Sequence, residues 1–370
     1  MPTPLYARYQ AEFGFTPIVV TLVFAVYAGT LVPTLLMSGA LADSIGHRRV
    51  VVPAIALAGV AAALFAAADG VGSLFAARAL QGISVGAASS ALTAALVETE
   101  PSGNRTRASS LASAMVTGGG GLGPVLAGLL AQYAPLPLRL TYLLELGLLA
   151  LAMAAVTQLP TPTGPRPAWR PRRPSIPAAA RRQFALAGAV SFLGWAVVAL
   201  FLAMVPSYTS VILHRDNLLL SGTAAGMFLL FAALAQYVLS RTGTVARPAV
   251  GLLLLVAGLA LLAAAGATRL TPLLLAAAVV GGAGQGIAFM AALARTNELA
   301  PPESRAEVLS AFYMITYLGV GIPVIGVGFL AAEVGLFPAV VTFSALTGVA
   351  CLTVATAART QPDPPSPRPA

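Results

Sequence analysis

Two ionisable side chains interrupt long apolar stretches of the sequence, Arg78 in GSLFAARALQG and Glu145 in LTYLLELGLLAL. A carboxyl group inside an apolar helix favours its neutral form, so Glu145 is a candidate to bind and release a proton; the alternative is a structural hydrogen bond near the helix end. A charged arginine at the centre of a membrane helix costs about 2.5–3.5 kcal/mol on insertion scales, so Arg78 is predicted to be paired or functional. The alternative for Arg78 is a side chain that extends to the membrane surface.

The segment GALADSIGHRR, residues 39–49, places charged residues between two uncharged stretches. Gly46 can supply a tight turn, and Asp43 can accept hydrogen bonds from the N-terminus of another helix. We therefore expect a connecting loop from Asp43 to Arg49 that links two helices electrostatically. The predicted ion pairs join Arg48 or Arg49 to Glu98 or Glu100. The alternative is a plain loop whose arginines only anchor it at the membrane surface.

The sequence offers little other reactive chemistry. It contains neither an H-E-x-x-H motif nor a paired-aspartate motif for metal binding. His47 and His214 lie in predicted loops, where we expect them to be solvated. Cys351 is the only cysteine, so no intrachain disulfide can form. We predict that the protein is not an enzyme and holds no metal or cofactor.

The composition indicates which elements position these residues. Of the 370 residues, 58% are hydrophobic and 9% are charged, against about 25% charged in a soluble domain. Uncharged stretches recur, each long enough for the ~20 residues of a membrane-spanning helix. An all-α polytopic membrane protein is therefore predicted. Its eleven expected spans lie near residues 16–41, 50–68, 72–97, 108–132, 138–158, 183–206, 217–240, 247–267, 271–294, 304–332 and 335–358.

The net charge of +9 follows from membrane topology. All 21 basic residues are arginines. Arg78 lies inside a predicted span, and if the loop ending at Arg49 is cytoplasmic, sixteen of the others lie on that side and four on the opposite side. This distribution is the positive-inside bias of membrane proteins, so no nucleic-acid partner is implied. We expect a multi-pass protein of the inner (plasma) membrane with a cytoplasmic C-terminus.

An internal repeat divides the chain into two halves. LQGISVGA at residues 80–87 resembles GQGIAFMA at residues 284–291, and Pro124 and Pro323 lie 199 positions apart. Such repeats predict two pseudo-symmetric helix bundles. The expected organisation is an N-terminal bundle at 1–159, a basic, proline-rich cytoplasmic linker at 160–182, a C-terminal bundle at 183–358 and a disordered cytoplasmic tail at 359–370.

The same comparison aligns the N-terminus with the middle of the chain. Pro4 and Tyr6 fall on Pro206 and Tyr208, at the outer end of the sixth span. We therefore expect the first half to lack its first helix. Two explanations remain open, a start codon assigned too far downstream and a truncated gene.

This organisation resembles the major facilitator superfamily of secondary transporters over nearly the whole chain. Three motifs carry the resemblance. The first is the G-x-L-x-D-x-x-G-x-R-R segment of Gly39, Leu41, Asp43, Gly46, Arg48 and Arg49, although His47 stands where a basic residue is more usual. The second is R-x-x-Q-G in the fourth helix of the family, matched by Arg78, Gln81 and Gly82. The third is the glycine-proline signature of the fifth helix, matched by Gly119, Gly123, Pro124 and Gly128.

The resemblance implies a role for each motif. The first segment would act as a latch that holds the cytoplasmic side closed in one state, and Arg78 would take part in proton coupling. The fifth-helix signature is associated with antiporters that export drugs, and its glycines would pack closely on a neighbouring helix. The alternative for these glycines is ordinary small-residue packing.

We therefore expect a secondary transporter, in which proton-coupled efflux of hydrophobic or cationic organic compounds proceeds by alternating access. The expected partners are a small-molecule substrate, protons and the lipid bilayer, and the expected state is a monomer. One alternative is a facilitator of a metabolite such as a sugar or an amino acid. Another is an N-terminally truncated, inactive transporter.

Overall fold

The computed structural model describes residues 3–99, 105–158, 180–214, 217–242, 244, 246–300 and 305–359. Within these ranges the chain forms helices and no strands. A short 3-10 helix at Thr3–Leu5 is followed by α1 (Tyr6–Phe13), α2 (Pro17–Ile45), α3 (His47–Ala66), α4 (Val71–Thr99), α5 (Arg105–Tyr133), α6 (Leu140–Thr157), α7 (Arg181–Val211), α8 (Leu218–Thr242), α9 (Pro248–Thr268), α10 (Thr271–Leu299), α11 (Arg305–Val334) and α12 (Leu336–Arg359).

The long helices α2 to α12 coincide with the eleven predicted spans. Nine helices in the described part of the chain are long and apolar enough to cross a membrane. The long helices outside this group are α4 and α5, of 29 residues each, which contain many glycine, serine and threonine residues. The prediction of an all-α polytopic membrane protein is confirmed.

The connection between α2 and α3 differs from the predicted loop. Helix α2 continues through Asp43 to Ile45, and α3 begins at His47. Gly46 alone separates the two helices, with a φ of 99° that favours glycine. The prediction of a loop from Asp43 to Arg49, and of His47 in a loop, was therefore wrong. One glycine reverses the chain, so the flanking polar residues remain helical.

Two sets of helices pack mainly among themselves. In the first set α4 packs against α2 and α3, and α3 also packs against α6. In the second set α10 packs against α7, α8 and α9, while α11 packs against α7 and α12 against α9. The sets meet chiefly through two helix pairs, α5 with α8 and α2 with α11. Residues 160–179 of the predicted linker and 360–370 of the predicted tail lie outside the described residues.

Two tyrosines make the same hydrogen bond in the two sets. The Tyr9 hydroxyl donates to the carbonyl of Phe65 at 3.2 Å, and the Tyr208 hydroxyl donates to the carbonyl of Leu262 at 2.6 Å. Tyr9 lies before α2 and bonds to α3, and Tyr208 lies before α8 and bonds to α9. In both sets the bond therefore joins the segment before one long helix to the helix after it. Tyr9 is thus the structural counterpart of Tyr208, whereas the sequence comparison had placed Tyr6 there.

Candidate functional site

The molecule has two ends, for which two names are useful. The α1 end carries α1 and the connection between α7 and α8. The turn end lies opposite and carries the α2–α3 turn at Gly46. Under the predicted topology the turn end faces the cytoplasm.

The first contact between the helix sets is a seam of α5 and α8 at the α1 end. A Cβ atom added at Gly128 would collide with the carbonyl oxygen of Leu218, and one added at Gly222 would collide with that of Pro124. The backbone N–H of Leu218 also donates to Oε1 of Gln132 at 2.8 Å. The two backbones touch here because glycine removes the side chains that would hold them apart.

The second seam joins α2 to α11 at the same end. A Cβ atom added at Gly328 would overlap the Thr21 side chain, and one added at Gly321 would lie 3.4 Å from Ala28 Cβ. The 3-10 helix completes the closure, since it contacts α5, α7 and α8 and Leu5 within it is fully buried. The α1 end is therefore sealed between the two sets.

Toward the turn end, the facing surfaces of α5 and α8 become open. Gly121 still packs closely, since an added Cβ atom would lie 2.8 Å from Leu230 Cγ. Tyr237, two turns further along the same face of α8, is 51% exposed. Cβ atoms added at Gly118 or Gly119 would have no neighbour within 4 Å. Among the described residues, the close packing of α5 on α8 is therefore limited to the part that runs from Gly120 to the α1 end.

Arg78 lies within the first set near the sealed end, and its side chain is 5% exposed. Its Nε donates to the Tyr6 hydroxyl at 2.6 Å, and its Nη1 donates to Oε1 of Gln81 at 2.8 Å. Its Cζ also lies within 6 Å of four aromatic ring centroids, those of Tyr6, Phe24, Tyr27 and Phe65. Cation–π contacts and hydrogen bonds stabilise the buried charge. The enclosed side chain does not extend to the membrane surface.

Glu145 lies on α6, the helix that packs against α3. Its Oε2 atom is buried and has no hydrogen-bond partner among the described residues. No hydrogen bond or ion pair that the structure describes joins it to Arg78, so the two proton-coupling candidates are not in contact. The role of each remains a prediction.

Gly82, next to Gln81 in the R-x-x-Q-G motif, marks the closest approach of α4 to α2. A Cβ atom added there would lie 2.5 Å from the carbonyl oxygen of Tyr27 and would overlap the Thr30 hydroxyl. Thr30 Oγ1 is also 3.1 Å from the carbonyl oxygen of Ala79. This contact holds α4, and with it Arg78, against α2.

Replacing Gly82 with alanine is expected to lower the midpoint of thermal unfolding of the detergent-solubilised protein by several degrees. Overpacking against a backbone costs about 1–3 kcal/mol, because the carbonyl cannot move aside as a flexible side chain can. The matched control is Gly59→Ala, where the new methyl group would meet only Leu146 Cδ2 at 3.8 Å. Equal midpoints for the two variants would contradict this account of the α2–α4 contact.

The predicted latch is only partly described. Leu41 is 38% exposed, and Gly46 forms the turn. The surroundings of Gly39, the side chains of Asp43 and Glu98, and the whole of Glu100 lie outside the described residues. The structure describes no ion pair for Arg48 or Arg49, so the latch remains a prediction.

The fifth-helix signature is divided between the two ends. Gly128 and Pro124 lie in the seam against α8, and Gly123 is buried. Gly119 is exposed and has no neighbour for an added Cβ atom. In this state only the part of the signature nearest the α1 end packs against the second helix set.

The second set contains an aromatic cluster that sequence reasoning missed. The Trp195 ring contacts the Phe289 ring edge-on at 5.8 Å and lies 6.3 Å from the Tyr317 ring. Tyr317 lies on α11, the helix that packs against α2 of the first set. The only sequence signal was the repeat GQGIAFMA, which contains Phe289.

The chain is similar to known membrane transporters in sequence and in fold. A family model described as Major Facilitator Superfamily matches residues 1–322 and 222–370, which together span the chain. Among curated proteins nothing matches. A crystal structure of a mutant of the nucleoside transporter NupG matches with a TM-score of 0.65 and 13% sequence identity, covering 96% of this chain and 94% of that one. At this identity the likeness shows the fold alone.

Proposed function

Because the chain belongs to the major facilitator superfamily, we propose that it exports small organic molecules by exposing a central cleft alternately to the two sides of the membrane. The observation that supports this proposal is the position of the two seams. Both lie at the α1 end, and the facing surfaces separate toward the turn end. If the two helix sets rotated relative to each other about the middle of the seams, the α1 end would open and the turn end would close.

The described lining of the cleft favours aromatic or hydrophobic substrates that are neutral or anionic. Trp195 and Tyr317 supply aromatic surface, and the first helix set contributes the buried positive charge of Arg78. An uncompensated guanidinium would repel a cation in a low-dielectric site. Of the two expected classes, hydrophobic compounds therefore have more support than cationic ones.

A flux assay tests the proposal. Purified protein in proteoliposomes with an imposed pH gradient would be given a panel of dyes, drugs, sugars and amino acids. We expect accumulation of hydrophobic aromatic compounds that depends on the gradient, and none in protein-free liposomes. Gradient-independent equilibration of a sugar or an amino acid would instead identify a metabolite facilitator. Absence of flux for every compound would contradict the proposal.

We also propose that Glu145 carries the coupled proton. Its buried, unpartnered carboxyl oxygen supports the proposal, because a proton carrier in a membrane must exist in a neutral form. Glu145→Gln is expected to reduce gradient-driven accumulation about tenfold or more, while exchange of substrate without a gradient continues. The control is Glu333→Gln, at the exposed end of α11. Equal gradient dependence in both variants would assign Glu145 a structural role.

A further inference from the structure

Three buried polar atoms in the second helix set lack a partner among the described residues, and two of them, on α7 and α10, are close to each other in the fold; the third is Ser344 Oγ on α12. Gln285 on α10 is 1% exposed, and its Oε1 has no hydrogen-bond partner among the described residues. The indole Nε1 of Trp195 on α7 is also buried and unpartnered. A buried polar atom without a partner forfeits its hydrogen bonds to water. Gln285 Oε1 is therefore an unpaired acceptor and Trp195 Nε1 an unpaired donor, on the neighbouring helices α10 and α7.

The internal repeat explains why the Gln285 oxygen has no partner. Gln81 is the counterpart of Gln285, and its Oε1 accepts a hydrogen bond from Arg78, three residues earlier on α4. The residue three positions before Gln285 is Gly282. Its missing side chain lets α10 approach the backbone of Phe228 on α8. The second set thus keeps the glutamine and replaces its donor with a packing contact.

Gln285 and Trp195 lie at the same contact between α7 and α10. A Cβ atom added at Gly194, next to Trp195, would lie 3.6 Å from Cγ of Gln285. Trp195 contacts Phe289, one turn after Gln285 on α10. The Trp195 ring also lies 6.3 Å from the Tyr317 ring on α11. The donor and the acceptor therefore lie beside a cluster of aromatic rings from α7, α10 and α11.

We propose that Gln285 and Trp195 form a hydrogen-bonding subsite for a planar aromatic substrate that carries an acceptor beside a donor, such as an aromatic carboxamide. The Trp195 N–H donates a hydrogen bond to the carbonyl oxygen of the substrate, and Gln285 Oε1 accepts one from the amide N–H of the substrate. The aromatic rings of the protein contact the plane of the substrate ring. This subsite deepens the proposed function and depends on it, since it specifies what the cleft selects. An apolar compound of the same shape would leave both protein groups unpaired.

Binding can be measured at this place because Trp169 and Trp195 are the only tryptophans. In a Trp169→Phe background, Trp195 emission reports directly on the subsite. The probes are benzamide, which has both an acceptor and a donor, and methyl benzoate, which has a similar shape and no N–H group. Each probe is titrated into the full chain in detergent, with and without the further substitution Gln285→Met, and thermal unfolding is recorded for each variant.

We expect benzamide to change Trp195 emission saturably and to bind at least tenfold tighter than methyl benzoate. Gln285→Met should weaken benzamide about tenfold, leave methyl benzoate unchanged and preserve the unfolding midpoint. Equal binding of the two probes, equal weakening of both by Gln285→Met, or no saturable response would overturn the subsite. Probe discrimination without flux of any compound would contradict only the proposed function, whereas flux without probe discrimination would contradict only the subsite.

Discussion

Replacing Gly128 with valine is expected to reduce transport about 100-fold, for a substrate found in the flux assay above, while the protein still folds and inserts into the membrane. The added side chain would strike the carbonyl oxygen of Leu218, and a backbone atom within a helix cannot rotate away. The overpacking costs about 3 kcal/mol and acts only on the state in which the α1 end is closed. The equilibrium between this state and the state with an open α1 end would therefore shift about 100-fold toward the open one. Transport stops because the cleft no longer closes at that end. The measurement is substrate flux in proteoliposomes, with the insertion level determined in parallel.

The α2–α11 seam provides a matched pair of variants on one helix. A Cβ atom added at Gly328 would overlap the Thr21 side chain, whereas one added at Gly326 would have no neighbour within 4 Å. Gly328→Val is therefore expected to impair transport as Gly128→Val does, and Gly326→Val to leave it unchanged. If both substitutions on α11 reduced flux equally, glycine flexibility and not the seam would be the cause.

Replacing Arg78 with methionine is expected to abolish measurable transport, a loss of about 100-fold or more, without lowering the unfolding midpoint. Methionine removes a buried charge that no described carboxylate pairs with, and the desolvation cost of that charge offsets the hydrogen bonds and cation–π contacts that are lost with it. Transport is lost because Arg78 no longer holds Tyr6, which directly follows the 3-10 helix that closes the α1 end. Flux and thermal unfolding are measured on the same preparations.

Two conservative variants separate the contributions of Arg78. Arg78→Lys retains the charge but cannot reach Tyr6 and Gln81 together in the planar geometry of a guanidinium, so partial transport is expected. Tyr6→Phe removes only the hydroxyl that accepts from Nε, and a loss of several-fold is expected. An Arg78→Met protein that unfolds earlier and loses transport in the same proportion would show that the arginine only supports the fold.

The candidate site was accessible from the sequence only in part. Arg78 stood out because a charge in an apolar stretch is costly, but nothing in its neighbourhood along the chain predicted that Tyr6 would accept its hydrogen bond from 72 residues away. Gly119 and Gly128 belong to one motif, yet only Gly128 lies in a seam. The Trp195 and Gln285 groups were not identified, because a missing partner can be recognised only once all neighbours are placed.

Hydropathy and the internal repeat were sufficient to predict an all-helical membrane protein with eleven long helices and a repeated organisation. Hydropathy and repeats are local properties of the chain, and the bilayer requires each spanning segment to satisfy its own backbone hydrogen bonds, so each helix can be recognised alone. Only the tertiary structure decided that α2 runs through Asp43 to a single-residue turn, and that both seams close the α1 end. Those features depend on how helices distant in sequence approach each other, and the seam glycines specify such an approach only together with the helix they face.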